Sequence, residues 1–309
     1  MELTGTQLLH GLEEVVEREL NRHLGAAKEW FPHAYVPWSR GRDYDGPLDG
    51  SPWSPEDSPV SAASRRALVV NLLTEDNLPT YHHEIAATFG RDGAWGTWVH
   101  RWTAEEARHS AAIRDYLLAS RAVDPVALER ARMQHMSRQA PDGDPDVLTS
   151  IAYVAMQELA TRISHRNTGR LSGDPVCDRL LARIATDENL HMVFYRNLLG
   201  AAMEIAPEQT TRAITDVIAS FEMPGNGMPG FERASVQMAL AGVYNVRIHL
   251  DEVVKPVLRK LDVVDRAGMG PAGRRAQDEL GALLASMETE ATRFDDRRAT
   301  TLARRGLIP

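Results

Sequence analysis

Apolar residues recur three and four positions apart along most of the chain, the spacing of one face of an α-helix. Leu8, Leu9, Leu12, Val15, Val16 and Leu20 form such a stripe, and Thr4 or Thr6 can cap a helix running to about Leu24. The pattern stops at a Pro-rich arm over 31–59, where prolines 32, 37, 47, 52, 55 and 59 forbid a long helix. Trp30, Trp38 and Trp53 are expected to pack this extended arm over the helices. The stripe resumes near Val60, with Ser61 or Ser64 as cap, and passes Leu68, Val69, Leu72 and Leu73 to Glu75 and Asp76. Pro79 removes the hydrogen bond to the carbonyl of Glu75, so a kink is expected there.

Further helices are predicted over 93–121, from Asp124-Pro125 through Met136, over 146–167, and from Asp174-Pro175 to about Gly200. Three more are predicted over 207–221, 231–261 and 273–305, with loops at 140–146 and 224–230. There is no strand pattern of any length, no repeat of short fixed period and no low-complexity tract. The expectation is an all-α chain, folded as a single domain over 1–309.

Composition narrows the function classes. A net charge of -8 argues against a general nucleic-acid binder. Cys177 is the only cysteine, which excludes an internal disulfide and a thiolate-rich metal site and fits a reducing cytoplasm. The first residues, MELTGTQLLHGLEE, lack a basic segment followed by a long apolar run, and no stretch is apolar enough to cross a bilayer. A cytoplasmic location is therefore expected. P-loop, dinucleotide and G-x-S-x-G signatures are all missing from the sequence.

Four predicted helices carry the candidate chemistry. Two hold Glu-x-x-His pairs, Glu106/His109 in WTAEEARH and Glu188/His191 in DENLH. Residues three apart share a helix face, so each pair can offer a carboxylate oxygen and an imidazole nitrogen to one ion. One such pair arises about once by chance in a chain with 11 histidines. Two pairs, each preceded by an acidic residue and ordered with single glutamates as Glu75, Glu106/His109, Glu158, Glu188/His191, form a specific pattern. Glu158 follows an apolar face of Leu148, Ile151, Val154 and Ala155, so a buried position is expected for it. The set matches ferritin-like dimetal carboxylate proteins, which take one Glu from each of two helices and Glu-x-x-His from two more. Four carboxylates cancel the charge of two divalent ions, and such donors suit iron or manganese over softer metals. His10 and His23 fall outside the pattern and are read as surface or interface residues, and His82-His83 as exposed.

With the segments TEDNLPTY (74–81), WTAEEARH (102–109), QELATRISHRNT (157–168) and DENLHMVFYRNL (187–198), the chain resembles the soluble acyl-[acyl-carrier-protein] desaturases, in particular their actinobacterial branch. The resemblance spans about Trp30 to beyond Gly200 and is less distinct toward the C-terminus. It implies a ferritin-like four-helix bundle with additional packed helices, and two iron ions held by Glu75, Glu106, His109, Glu158, Glu188 and His191. It implies that Thr161 lies near the oxygen-binding side, that Asp187 holds the other nitrogen of His109, and that Trp30 and Trp102 help carry electrons. Core packing is the alternative role for both tryptophans.

The implied reaction places a cis double bond in a saturated acyl chain on acyl carrier protein. It uses O2 and two electrons from a ferredoxin-type donor, and a homodimer is implied. An acidic carrier calls for a basic patch, to which Arg65-Arg66 or Arg259-Lys260 can contribute. The plant motifs continue differently after both Glu-x-x-His pairs, and the loop between Tyr81 and Trp98 is shorter here. Chain length, double-bond position and electron donor therefore stay open. The ligand set also admits another dimetal oxidase acting on an amine or natural-product substrate, or a catalytically silent metal- or lipid-binding relative. A long apolar tunnel would favour the first reading and a short polar cavity the oxidase.

Overall fold

The computed structural model describes residues 2–137, 146–222 and 231–304. Among them a single bridge, Tyr44 to Ser51, is the only β-structure, and helices account for most of the rest. The loops expected at 140–146 and 224–230, apart from Asp146, lie outside the described residues.

α1 (Gly5–Ala26) begins where Thr4 accepts from the backbone of Gln7 while the Gln7 side chain accepts from the backbone of Thr4, a reciprocal cap. The arm that follows contains only short 3-10 turns at Pro32–Ala34, Trp38–Arg40 and Pro55–Asp57. α2 (Ala62–Asp76) is capped by Ser61 and α3 (Leu78–Phe89) follows after Asn77 alone. The kink expected at Pro79 is thus a full break. Pro79 occupies the first turn of α3, where its missing N–H costs nothing.

α4 (Gly93–Ala119), α5 (Pro125–Met136), α6 (Val147–Ser172), α7 (Pro175–Ile205) and α8 (Pro207–Ser220) come next, the first two ending within a few residues of their predicted limits. α6 runs five residues past Asn167 and stops where Gly173 turns left-handed at φ 68°.

The predicted helix 231–261 is not continuous. α9 (Phe231–Ala241) ends at Gly242, whose φ of 79° a residue with Cβ rarely adopts. Asn245 then accepts from Ile248 N and caps α10 (Val246–Ile248). A π-helical segment, His249–Val254, leads into α11 (Lys255–Leu261). α12 (Pro271–Arg304) closes the described chain.

α6 and α7 form the most extensive helix pair; α2 packs on α4 and α6, and α4 returns to α7. These four make a ferritin-like bundle. α1 covers the α4/α7 side, α8 packs on α6 and α9 on α2, and α12 lies outside them against α8, α10 and the segment 249–254. All six candidate ligands, on these four helices, are buried within the bundle. No helix among the described residues is long and apolar enough to cross a membrane.

Candidate metal centre

The six side chains singled out by spacing meet at one level of the bundle. Each is at most 6 % exposed. They divide into two groups, Glu75, Glu106, His109 and Glu188, and Glu106, Glu158, Glu188 and His191, with donor atoms in each group within 4.8 Å of one another. Glu106 and Glu188 belong to both. His109 Nδ1 lies 3.2 Å from Glu188 Oε1, 3.3 Å from Glu106 Oε2 and 3.7 Å from Glu75 Oε2. His191 Nδ1 lies 2.8 Å from Glu106 Oε1 and 3.4 Å from Glu158 Oε2.

Burial and crowding act on these groups together. Burial, reinforced by Glu106 and Glu188, holds Glu158 well above the ordinary carboxylate range, and burial with Glu188 raises Glu106. Against the opposite push of burial, His109 and His165 hold Glu75 low. Burial would lower both candidate histidines, but Glu106 and Asp187 raise His109 while Glu158 and Glu105 raise His191. So much buried negative charge calls for cations.

The fit to metal rests on a second observation. Glu106 Oε1, His109 Nδ1, Glu158 Oε2, Glu188 Oε1 and His191 Nδ1 are all buried and make no hydrogen bond among the described residues. Buried polar atoms are rarely left so. These five belong to one cluster and face one another, as donors to a shared pair of ions would.

The outward ring nitrogens are held by carboxylates, the usual arrangement behind a ligand histidine. His109 Nε2 is 3.4 Å from Asp187 Oδ2, and Trp30 Nε1 donates to that oxygen at 2.6 Å. Arg108 and Arg183 stack over the Trp30 ring. His191 Nε2 is 2.9 Å from Glu105 Oε2, which also faces His23 Nε2 at 3.0 Å. Trp102 Nε1 donates to Glu158 Oε1 at 2.7 Å. The Thr161 hydroxyl lies 2.9 Å from Glu188 Oε2 and 3.1 Å from the carbonyls of Gln157 and Glu158.

Three residues were not singled out by sequence. His23 was expected at the surface or an interface and is instead fully buried inside the chain beside Glu105. Glu105 holds His191, and the acidic residue before Glu106 was the only trace of it in the sequence. His165 Nε2 reaches Glu75 Oε1 at 2.8 Å; it lies seven residues, two helical turns, after Glu158, a face relationship that spacing could have revealed. His10 is exposed as expected, whereas His82 is half-buried on Thr103.

A cavity of about 610 Å³ reaches the centre at Glu75, Thr161 and His165 and extends to Glu290 and Phe294 on α12. Val70, Ile218, Phe221, Met238 and Leu240 line it. A second hollow of about 390 Å³, walled by Arg65, Arg66 and Arg233, shares Val70 and Phe231 with it. Arg259 borders a separate hollow that shares no residue with the cavity.

The sequence profile of the fatty acid desaturase family matches residues 4–306. This chain belongs to the fatty acid desaturase family. Among similar family members is DesA1 of Mycobacterium tuberculosis, assigned as an acyl-[acyl-carrier-protein] desaturase, 48% identical over 95% of this chain and 89% of its own length. The stearoyl-[acyl-carrier-protein] 9-desaturase 6 of Arabidopsis thaliana is 31% identical over 74% of this chain and 63% of its own. The X-ray structure of DesA2 from Mycobacterium tuberculosis, another desaturase of the family by assignment, aligns with a TM-score of 0.72 at 27% identity. It covers 87% of this chain and 98% of that one. The desaturase resemblance and the all-α, ferritin-like fold expected from the sequence are both borne out.

Proposed function

We propose that this chain is an acyl-[acyl-carrier-protein] desaturase that introduces a cis double bond into a carrier-bound saturated acyl chain. The observation that carries the reading is the set of inward-facing donor atoms without hydrogen bonds, set against a cavity of about 610 Å³ whose wall includes Val70, Ile218, Phe221, Met238 and Leu240. Glu75 and His109 would serve one iron, Glu158 and His191 the other, and Glu106 and Glu188 both. Manganese suits the same donors. Two bound metals would supply the redox chemistry, in which O2, two electrons and two protons remove two C–H hydrogens and leave an alkene and two waters.

The protein's own groups bind, orient and exclude water. The cavity walls hold the chain extended beside Glu75 and Thr161 and keep solvent from the reacting carbons. Thr161 carries a proton 2.9 Å from Glu188, positioned to pass it inward. Trp30 and Asp187 form a continuous polar contact from the arm to His109, suited to electron entry, while Trp102 fixes Glu158. Arg65, Arg66 and Arg233 beside the cavity suit an acidic carrier. A ferredoxin-type donor, a homodimer, a single domain over 1–309 and a cytoplasmic setting complete the reading.

The test reduces the iron-loaded protein without oxygen, then adds O2 and a saturated acyl chain on its carrier. A product lighter by two hydrogens, seen by mass spectrometry, is expected. Turnover of free fatty acid but not of the carrier-bound chain would overturn the substrate. Oxidation of amines with no acyl product would move the chain to the other oxidases of this scaffold; Ile218, Phe221 and Leu240 in the cavity wall favour the acyl chain.

A further inference from the structure

One polar pair in the cavity wall takes no part in the metal centre. His249 opens the π-helical segment and lines the cavity. Its ring stacks on Phe221 with centroids 4.6 Å apart, and its Nδ1 lies 2.8 Å from the Tyr244 hydroxyl. Burial drives Tyr244 well above the ordinary phenol range, so it keeps its proton and donates to Nδ1. Burial also pushes His249 down to about 4, with no charged neighbour opposing it. The ring is therefore neutral, and its remaining proton sits on Nε2.

That N–H makes no hydrogen bond among the described residues, although His249 is only 8% exposed. Nor is Nε2 sealed in protein like the orphaned donors of the metal centre. The wall around His249 carries Ile218, Phe221, Met238 and Leu240 together with Ser235 and Asn245, and a fixed donor there is complementary to an acceptor on the occupant. A local π-helix is a frequent mark of such a position. A saturated chain offers no acceptor. The thioester that joins it to its carrier offers a carbonyl oxygen.

We propose that His249, oriented by Tyr244 and Phe221, receives the carbonyl oxygen of the acyl thioester and so sets which carbons of the chain stand beside Glu75 and Thr161. The inference rests on the desaturase reading and deepens it, making His249 a determinant of double-bond position.

The test crosses two ligands with two proteins. The ligands are a carrier-bound acyl thioester and the thioether in which a methylene replaces the carbonyl. The proteins are the iron-loaded full chain and its His249→Phe variant, which keeps the stack on Phe221. The wild type is expected to bind the thioester about three- to tenfold more tightly than the thioether, the range of one neutral hydrogen bond. His249→Phe should bind both alike, at the wild type's affinity for the thioether, and its alkene should be spread over neighbouring positions. His249→Gln, which restores an N–H, should recover part of the preference.

An unchanged thioester preference in His249→Phe would overturn the contact. So would equal weakening of both ligands with one double-bond position retained, since that is a packing effect. A wild type that binds neither ligand sinks the desaturase reading, and this contact with it. Wild-type binding with no preference sinks the contact alone.

Discussion

Asp187 Oδ2 lies 3.4 Å from Nε2 of His109, across the bundle from its own helix. Glu105 stands in the same relation to His191, at 2.9 Å. Each carboxylate immediately precedes the candidate ligand glutamate of one pair and holds the histidine of the other. Each is also gripped by an arginine four residues earlier, Arg183 and Arg101. The two Glu-x-x-His helices therefore orient one another's imidazoles.

Glu105→Gln and Asp187→Asn are each expected to weaken metal binding by about 10- to 100-fold, the usual cost of losing a ligand histidine's partner. Competition against a graded chelator series measures this. Wild-type affinity in both variants would show that the carboxylates serve only packing.

Metal content should be two ions per chain, falling to one in Glu158→Gln, because Glu158 belongs to only one of the two donor groups. Chelation should lower the melting temperature of the wild type, since ions that bind only the folded state stabilise it by about 2.7 kcal/mol at a hundredfold excess over Kd. Elemental analysis and calorimetry read the two effects separately.

Thr161→Val keeps the shape of a buried side chain and deletes only the hydroxyl near Glu188. Metal content and melting temperature should stay close to the wild type, within about 1 kcal/mol in stability. Alkene formed per O2 consumed should fall, read by parallel oxygen-electrode and product measurements. An unchanged ratio would remove the hydroxyl from proton delivery.

Arg132 clamps buried Asp76 with two hydrogen bonds, at 2.6 and 3.1 Å, one residue from Glu75. Arg132→Ala leaves that carboxylate uncompensated and should cost roughly 3 kcal/mol or more. The midpoint of urea unfolding should drop accordingly. A loss below about 1 kcal/mol would mean that water reaches Asp76.

His249 predicts a pH signature in the metal-free protein. Unfolded, its ring takes up a proton near 6.5; folded, burial delays this to about 4. Its contribution to stability is therefore complete above about 6.5, declines as pH falls, and is gone below about 4. The interval corresponds to roughly 3 kcal/mol. Wild type minus His249→Phe, measured by denaturant unfolding at pH 7 and again at pH 4, should change by about that much. A constant difference would place the ring in contact with solvent.

The helix ends were legible because their signals are local. Thr4, Ser61, Asp124, Asp146 and Asp174 cap the helices they precede, within a few residues of the sequence estimate. Where a signal was local but its outcome depended on neighbours, the estimate slipped. Pro79 could bend a helix or begin one, and Gly242 could sit inside a helix or end it. The candidate ligands were legible for the same local reason: three residues along a helix is less than one turn, so each Glu and its His share a face wherever the helix goes.

The chain's periodicity by itself determined an all-α architecture and the four helices that carry the Glu and His positions. Only the tertiary structure decided that His23, 82 residues before Glu105 in the chain, is buried against it, and that Tyr244 and His249 border a cavity. Spacing along a helix sets which side chains point the same way. Which distant helix meets that face, and how much space is left between them, depends on how whole surfaces pack, and no short stretch of residues encodes that alone.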